Sequence, residues 1–453
     1  MPFATLETDQ RESYSRFVNP QWTRLLTALS MNVRYAHCEG VELITDDGRR
    51  ILDFLSGYCV HNAGHNHPRI IAALQEELDR RGPAMLQSHV PEGAGVLAER
   101  LTAKAGGSLK KVFFPSTGSE GVEAAIKFSR AHTRRKHLLY ANGAFHGLTC
   151  GALSLMGDPF WKEGFGTMLP ETASVDFGNL EQLEQQLSTR KFAMFIVEPL
   201  QAEAGIRVPP EDYLRSAQAI CRRAGTLFVL DEVQTGMHRT GPFLASQRYG
   251  IEPDMVVMAK ALSGGLVPVG AVLMTEPIYD SIYGSLKRSI IHTSTFSENA
   301  LSMRAALATL DVLEDERLGE RSEVKGHLLR SRLTDALAGF EMVKEVRGQG
   351  LLCGIEFTAP RNIKLRLAYE SFMAIHPAMF GQILVMRLFR DHNMLTQICG
   401  NNHLVLKAAP PLVVEDAHIE SFVQAVREVV RQMHESMSFW TEALGLARRV
   451  VNI

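Results

Sequence analysis

The sequence predicts an α/β protein: a large ligand-binding domain with a mostly parallel sheet between helices, plus a smaller α+β domain formed from the N-terminal segment and the C-terminal part. Three observations predict it. From about residue 110 to 300, short apolar runs alternate with amphipathic helical patterns, the signature of a parallel sheet covered by helices. Beyond about residue 315 the pattern changes to longer helices. A chain of 453 residues, 45% of them hydrophobic, also exceeds what one small core holds. The expected division is 1–60 as an N-terminal segment packing with the small domain, 61–315 as the large domain and 316–453 as the C-terminal small domain.

The elements follow in order. Residues 41–52 alternate around Asp47-Gly48, a hairpin turn signal. Lys111–Phe114 is a strand that runs into Pro-Ser-Thr-Gly-Ser-Glu-Gly, and a helix follows with Val122, Ala125, Ile126 and Ser129 at i, i+3, i+4 and i+7. A helix from Tyr213 to Arg223 stops at Gly225, and a strand, Thr226–Leu230, begins at once. Gly350–Phe357 is a short strand, and Ile419, Phe422, Val423, Val426 and Val430 mark one face of a long helix. Residues 362–402, with Phe380-Gly381-Gln382 and Arg387-Leu388-Phe389-Arg390, are open to three readings: an apolar entrance, a dimer contact or ordinary helical core with Arg387 and Arg390 on a solvated face.

Composition excludes several function classes. Lys and Arg (48) nearly balance Asp and Glu (50), so no long-range field draws nucleic acid or an anionic membrane. Cysteines 38, 59, 150, 221, 353 and 399 lack metal-ligand spacing, which predicts no metal site and fits a reducing cytoplasm. The N-terminus has no signal-peptide pattern, and no run of about 18 apolar residues predicts a membrane span.

Three apolar runs end in charged residues: 194–197 into Glu198, 227–230 into Asp231 and 255–259 into Lys260. Ligands of open α/β sheets bind outside the carboxyl ends of the strands, so the three point into one site. Singly, Asp231 reads as a helix cap and Lys260 as a solvated lysine. Together they meet the demand of pyridoxal 5′-phosphate (PLP), whose ring nitrogen needs a carboxylate and whose aldehyde needs a lysine amine. Ser116-Thr117-Gly118-Ser119, opening a helix, offers N–H groups and hydroxyls to its phosphate.

At this point the residues resemble the class III, ornithine- and acetylornithine-type aminotransferases of the aspartate aminotransferase fold. The resemblance runs from about Gly40 almost to the C-terminus. Its motifs are GHNHP at 64–68, PSTGSEGVEAAIKFSR at 115–130, AFHGLTCGALS at 144–154, VEPLQAEAG at 197–205, LFVLDEVQTGMHRTG at 227–241, DMVVMAKALSGG at 254–265 and HTSTFSEN at 292–299. It implies that Lys260 is the Schiff-base lysine, Asp231 the partner of the ring nitrogen and Gln234 that of the ring hydroxyl. It implies further that Phe145 stacks on the ring beside His146, that Gly118 and Ser119 bind phosphate, and that Thr295 completes that site from the neighbouring subunit of a homodimer. Tyr58 matches a pocket-lining position, with a buried structural tyrosine as the alternative.

Two departures bear on the substrate. Where many relatives carry a carboxylate-binding arginine this chain has Leu148, and where a second arginine precedes APPL it has Lys407, a point charge without a planar fork. Glu203 either pairs with Lys407 or serves as an acid for a cationic amine. The expected activity is transfer of an amino group from an amine or amino acid, including an ω-amine or diamine, to an oxo acid such as 2-oxoglutarate or pyruvate. An aminomutase or racemase of the same fold is the rival enzyme, and a non-catalytic PLP-binding protein the rival outside catalysis. A nicotinamide-binding reading fails because no GxGxxG opens a strand-turn-helix unit.

Overall fold

The computed structural model describes residues 10–451 apart from 87 and 376. Near the N-terminus β1 (Tyr35–Glu39), β2 (Glu42–Thr45) and β3 (Arg50–Asp53) form an antiparallel meander, with Asp47-Gly48 in the turn between β2 and β3. The large domain follows with β4 (Leu109–Phe113), β5 (His137–Ala141), β6 (Thr172–Val175), β7 (Phe192–Val197), β8 (Leu227–Asp231), β9 (Met255–Met258) and β10 (Ala271–Thr275). Their order across the sheet is β4-β10-β9-β8-β7-β5-β6. From β9 to β6 all pairs are parallel, whereas β10 is antiparallel to both its neighbours.

Strands β7, β8 and β9 are buried along their whole length, which is why they read as unbroken apolar runs rather than alternating ones. Helix Gly118–Thr133 lies on one face, burying Val122, Ala125, Ile126 and Ser129. It sits so close that a Cβ on Gly121 would lie 2.7 Å from Val257 Cγ1 on β9. The paired registers Val197↔Leu230 and Asp231↔Val257 bring the carboxyl ends of β7, β8 and β9 to one edge of the sheet.

The smaller domain has an antiparallel sheet in the order β11-β12-β15-β14, from β11 (Val343–Gln349), β12 (Leu352–Phe357), β14 (Gln397–Cys399) and β15 (Asn402–Ala408). The two-residue β13 (Met394–Leu395) pairs in parallel with β3 instead, so the N-terminal meander and the C-terminal part share a sheet. Helix Asp416–Glu435 buries the predicted face, Ile419, Phe422, Val423, Val426 and Val430.

Residues 362–402 divide between the readings left open by the sequence. Helix Met379–His392 is core, burying Phe380, Ile383, Leu384, Leu388 and Phe389. Rather than standing free on a solvated face, Arg387 and the partly exposed Arg390 each pair with Asp391 and with Glu442, which ties this helix to helix Met437–Val451. The turn at Gly400-Asn401 reaches the large domain, Gly400 N donating to Glu203 Oε2 and Asn401 Oδ1 accepting from Trp161 Nε1. Among the described residues, no single helix is long and apolar enough to cross a membrane.

One buried residue joins the parts. Arg239, fully buried, donates to Leu351 O (2.9 Å) and Pro410 O (2.6 Å) in the C-terminal part, to Ser56 Oγ (3.1 Å) in the N-terminal segment and to Asn62 Oδ1 (2.5 Å) just after it. Burial lowers its pKa, yet its four neutral acceptors are those a guanidinium fork can satisfy.

Candidate active site

A pocket of about 470 Å³ opens at the carboxyl edge of β7, β8 and β9. Gly118, Ser119, Phe145, His146, Asp231, Gln234 and Lys260 all line it, together with Glu198. Lys260 begins the short turn after β9 and has a left-handed φ of 48°, which directs it away from the sheet line. Burial, with a smaller contribution from the Lys407 charge, lowers its pKa, and the charges of Glu203 and Asp231 oppose the shift.

Asp231 ends β8 with a fixed carboxylate. Its Oδ1 accepts from Val233 N at 3.0 Å, and its Oδ2 lies 2.8 Å from His146 Nδ1. Both side chains are almost entirely buried, so His146 Nδ1 and Asp231 Oδ2 satisfy each other away from water. Glu198, at the end of β7, accepts from Phe145 N at 3.0 Å and from Ala202 N at 3.1 Å. Burial pushes its carboxyl up to about 7 despite the neighbouring His146. The sequence pointed Glu198 into the site from its strand end but gave it no role there; its neighbours in space give it one, as the acceptor that holds the Phe145 backbone.

The phosphate-sized end of the pocket is set by close approach. Thr117 caps helix 118–133 by accepting from Glu120 N, and Gly118 and Ser119 at that helix start line the pocket. Gly147 has φ +112°, and a Cβ there would lie 2.5 Å from Ser119 Oγ. A carboxylate at one end, a lysine of lowered pKa on the wall, an aromatic residue and an anion cradle fit the ring nitrogen, aldehyde, ring face and phosphate of PLP.

Behind Gln234 lies a second layer. Lys407 Nζ, fully buried, is hydrogen-bonded to Glu203 Oε1, which also accepts from Gln234 Nε2 at 2.9 Å. Glu203 Oε2 accepts from Gly400 N at 2.8 Å. Burial alone would raise the Glu203 pKa, but the Lys407 charge and these donors hold it far below the usual carboxylate range. The Lys407 pKa is raised by the same pairing, against the effect of burial. Of the two sequence readings for Glu203, the structure has the ion pair. The Gln234 amide donor is thereby committed to Glu203, while its Oε1 faces Cys59 Sγ at 3.9 Å.

Tyr58 covers this pair with its ring centroid 5.3 Å from Lys407 Nζ. It is 40% exposed, so the buried-tyrosine alternative fails. Its backbone is unusual: Ser56, Gly57, Tyr58 and Cys59 have φ of 46°, 61°, 61° and 69°, four left-handed residues in succession. Asp53 Oδ1 holds the turn by accepting from Leu55 N and Ser56 N, at 2.7 and 2.8 Å, and Ser56 Oγ donates to Ala409 O at 2.7 Å. Thr295 is exposed and does not line this pocket. No metal-binding cluster occurs among the described residues.

The comparisons agree with this geometry. The family model described as "Aminotransferase class-III" matches residues 27–430. A Serratia sp. protein named aminotransferase PigE is 35% identical over 94% of this chain, and the chain spans only 54% of that relative's length. The putrescine aminotransferase of Pectobacterium atrosepticum is 33% identical over 96% of this chain and 91% of its own. An ornithine aminotransferase structure from Toxoplasma gondii, described with PLP at the active site, has a TM-score of 0.82 and 27% identity, covering 95% of this chain and 96% of that one. The chain therefore belongs to the class III aminotransferases, the PLP-dependent transaminases.

Proposed function

We propose that the protein transfers the amino group of a primary amine, an ω-amine or diamine among the candidates, to an oxo acid such as 2-oxoglutarate or pyruvate, and that it works as a cytoplasmic homodimer. The observation that carries the reading is the meeting of Lys260, Asp231 and the Gly118-Ser119 turn in one pocket. The similarity to a putrescine aminotransferase supports an amine donor.

When bound, PLP supplies an aldehyde that condenses with amines and a ring that accepts electrons. Lys260 is the residue to hold it as a Schiff base, and its lowered pKa favours the free amine needed to take and return the proton on the substrate carbon. Asp231, kept in place by His146 and Val233 N–H, holds a proton on the ring nitrogen. Phe145, on the pocket wall, would lie against the ring and keep water from it. Gly118 and Ser119 bind the phosphate, and Thr295, exposed on its own subunit, completes the partner's phosphate site. Gln234, tied to Glu203, links the ring hydroxyl position to the pair behind it. Tyr58 faces the substrate side, and the buried Glu203–Lys407 pair supports that wall from beneath it. The domain division at residues 60 and 315 belongs to the same proposal.

The test is a panel of amine donors and oxo-acid acceptors with the holoenzyme, with Lys260→Ala alongside. Acceptor-dependent turnover that Lys260→Ala abolishes is the expected result. Full turnover by the variant would overturn the reading, and turnover with no acceptor would make the protein an isomerase.

A further inference from the structure

A second cleft, of about 840 Å³, lies beside the Lys260 pocket. Leu148, Phe160, Trp161, Phe165, Met168 and Leu169 line it, and Glu163 is the one charged residue on its wall among the described residues. Large apolar side chains stand open to water there: Leu148 is 52% exposed, Phe160 69% and Phe165 74%. Exposed apolar surface gathered into a concavity marks a binding surface rather than ordinary scatter.

Position says what binds. Leu148 follows directly on Phe145-His146-Gly147, three residues that line the Lys260 pocket. Trp161 is the common wall: its ring meets Phe145 edge-on at 5.3 Å on the pocket side and Phe160 at 5.3 Å on the cleft side. It is held there, since Trp161 Nε1 donates to Asn401 Oδ1 at 2.7 Å, and the adjacent Gly400 donates to Glu203. The tail of a substrate amine held at Lys260 beside Phe145 would extend toward the Trp161 side, on which the cleft lies. A diamine fits this arrangement less well than an apolar tail, because the charge of Glu203 is already matched by Lys407 and the cleft wall is apolar apart from Glu163 among the described residues.

We infer that this cleft is a subsite for the apolar alkyl tail of a primary monoamine substrate. The inference rests on the amine-transferring reading of the Lys260 pocket and narrows it.

The holoenzyme is assayed with n-alkylamines from propylamine to octylamine at saturating pyruvate or 2-oxoglutarate. Burial of each methylene raises kcat/KM about two- to fourfold, since complete burial of a CH₂ corresponds to about fourfold. The gain falls in KM with kcat level, because the tail contacts ground and transition states alike. Leu148→Arg and Phe165→Ser flatten this slope, read as the octylamine-to-propylamine ratio, which a general loss of folded enzyme leaves unchanged. A flat slope in the unaltered protein overturns the inference. So does a slope that both variants preserve, and light scattering showing that the same variants break up an oligomer would then assign the cleft to a second copy of the chain. Titration of intrinsic fluorescence with octylamine, with Trp161→Phe as blank, reads tail binding without turnover. A protein that binds octylamine this way but transaminates no amine would refute the proposed function and leave the cleft standing; absence of both binding and slope refutes the cleft.

Discussion

Breaking the Glu203–Lys407 pair from either side is predicted to cost far more than removing it whole. Both side chains are buried, Lys407 fully, and the pair is hydrogen-bonded as well as charged. Two routes give the size of the effect. The Glu203 carboxyl is held down from 4.5 to about 2, which corresponds to about 3 kcal/mol of preference for the ionised form in the folded protein. Removing one partner of a buried pair generally costs about 3–5 kcal/mol because the other charge is left desolvated and alone. Glu203→Gln strands the Lys407 ammonium and belongs at the upper end. Lys407→Met leaves Glu203 with donors from Gln234 and Gly400 and belongs at the lower end. The double variant has no buried charge and keeps the volume, so its loss is about 1–2 kcal/mol, giving a coupling of at least about 3 kcal/mol.

Urea midpoints of the four proteins, taken at fixed protein and cofactor concentration near pH 7.5, measure this cycle. Losses that simply add in the double variant would refute the reasoning, because the pair would then not be the source of either single effect. The pH dependence provides a second check. A lowered carboxylate pKa contributes stability that is complete above about 4.5 and fades as pH falls toward about 2. A raised lysine pKa contributes stability that is complete below about 10.5 and fades at higher pH. Between those limits the gap between wild type and Glu203→Gln stays level, and below pH 4.5 it narrows.

Arg239→Ala leaves two carbonyls, a hydroxyl and an amide oxygen without their donor in a dry interior, and is expected to lose more than about 4 kcal/mol in urea unfolding, with Arg239→Lys recovering part of it. A Gly147→Ala enzyme matching wild type in cofactor affinity would contradict the cradle geometry; at least tenfold weaker binding of PLP to the apoenzyme is expected, read by absorbance titration. At position 58 the usual ranking of glycine and alanine reverses: Tyr58→Gly is more stable than Tyr58→Ala by about 1 kcal/mol because φ is 61°, and urea midpoints placing alanine higher would show that the turn relaxes.

What the sequence disclosed and what it withheld divide along the distance over which each feature is decided. The Asp47-Gly48 turn, the stop at Gly225 and the charged residues ending β7, β8 and β9 depend on residues a few positions away, and the fold reading built on them agrees with the structure. Glu203 and Lys407 were visible as candidates, but the choice between an ion pair and an open acid needed β15 to turn Lys407 inward, 204 residues from its partner. Trp161 was not singled out at all, since its anchor Asn401 is 240 residues away and a tryptophan before a lysine reads as ordinary surface.

Arg239 was hidden inside a quoted motif for a similar reason: its acceptors lie 112 to 183 residues distant. That concealment and the left-handed turn have a common origin. Three non-glycine residues in the left-handed region cost about 1–2 kcal/mol each, more than the local acceptor Asp53 offsets alone. The repayment comes from Asp53, Ala409 and Arg239, which together grip Ser56. The turn in its strained form is what sets Tyr58 over Lys407 and Cys59 against Gln234. The small domain, the N-terminal segment and the pocket are thus mechanically one object, and a substitution that loosens Arg239 should disturb the substrate side of the pocket before it reaches Lys260.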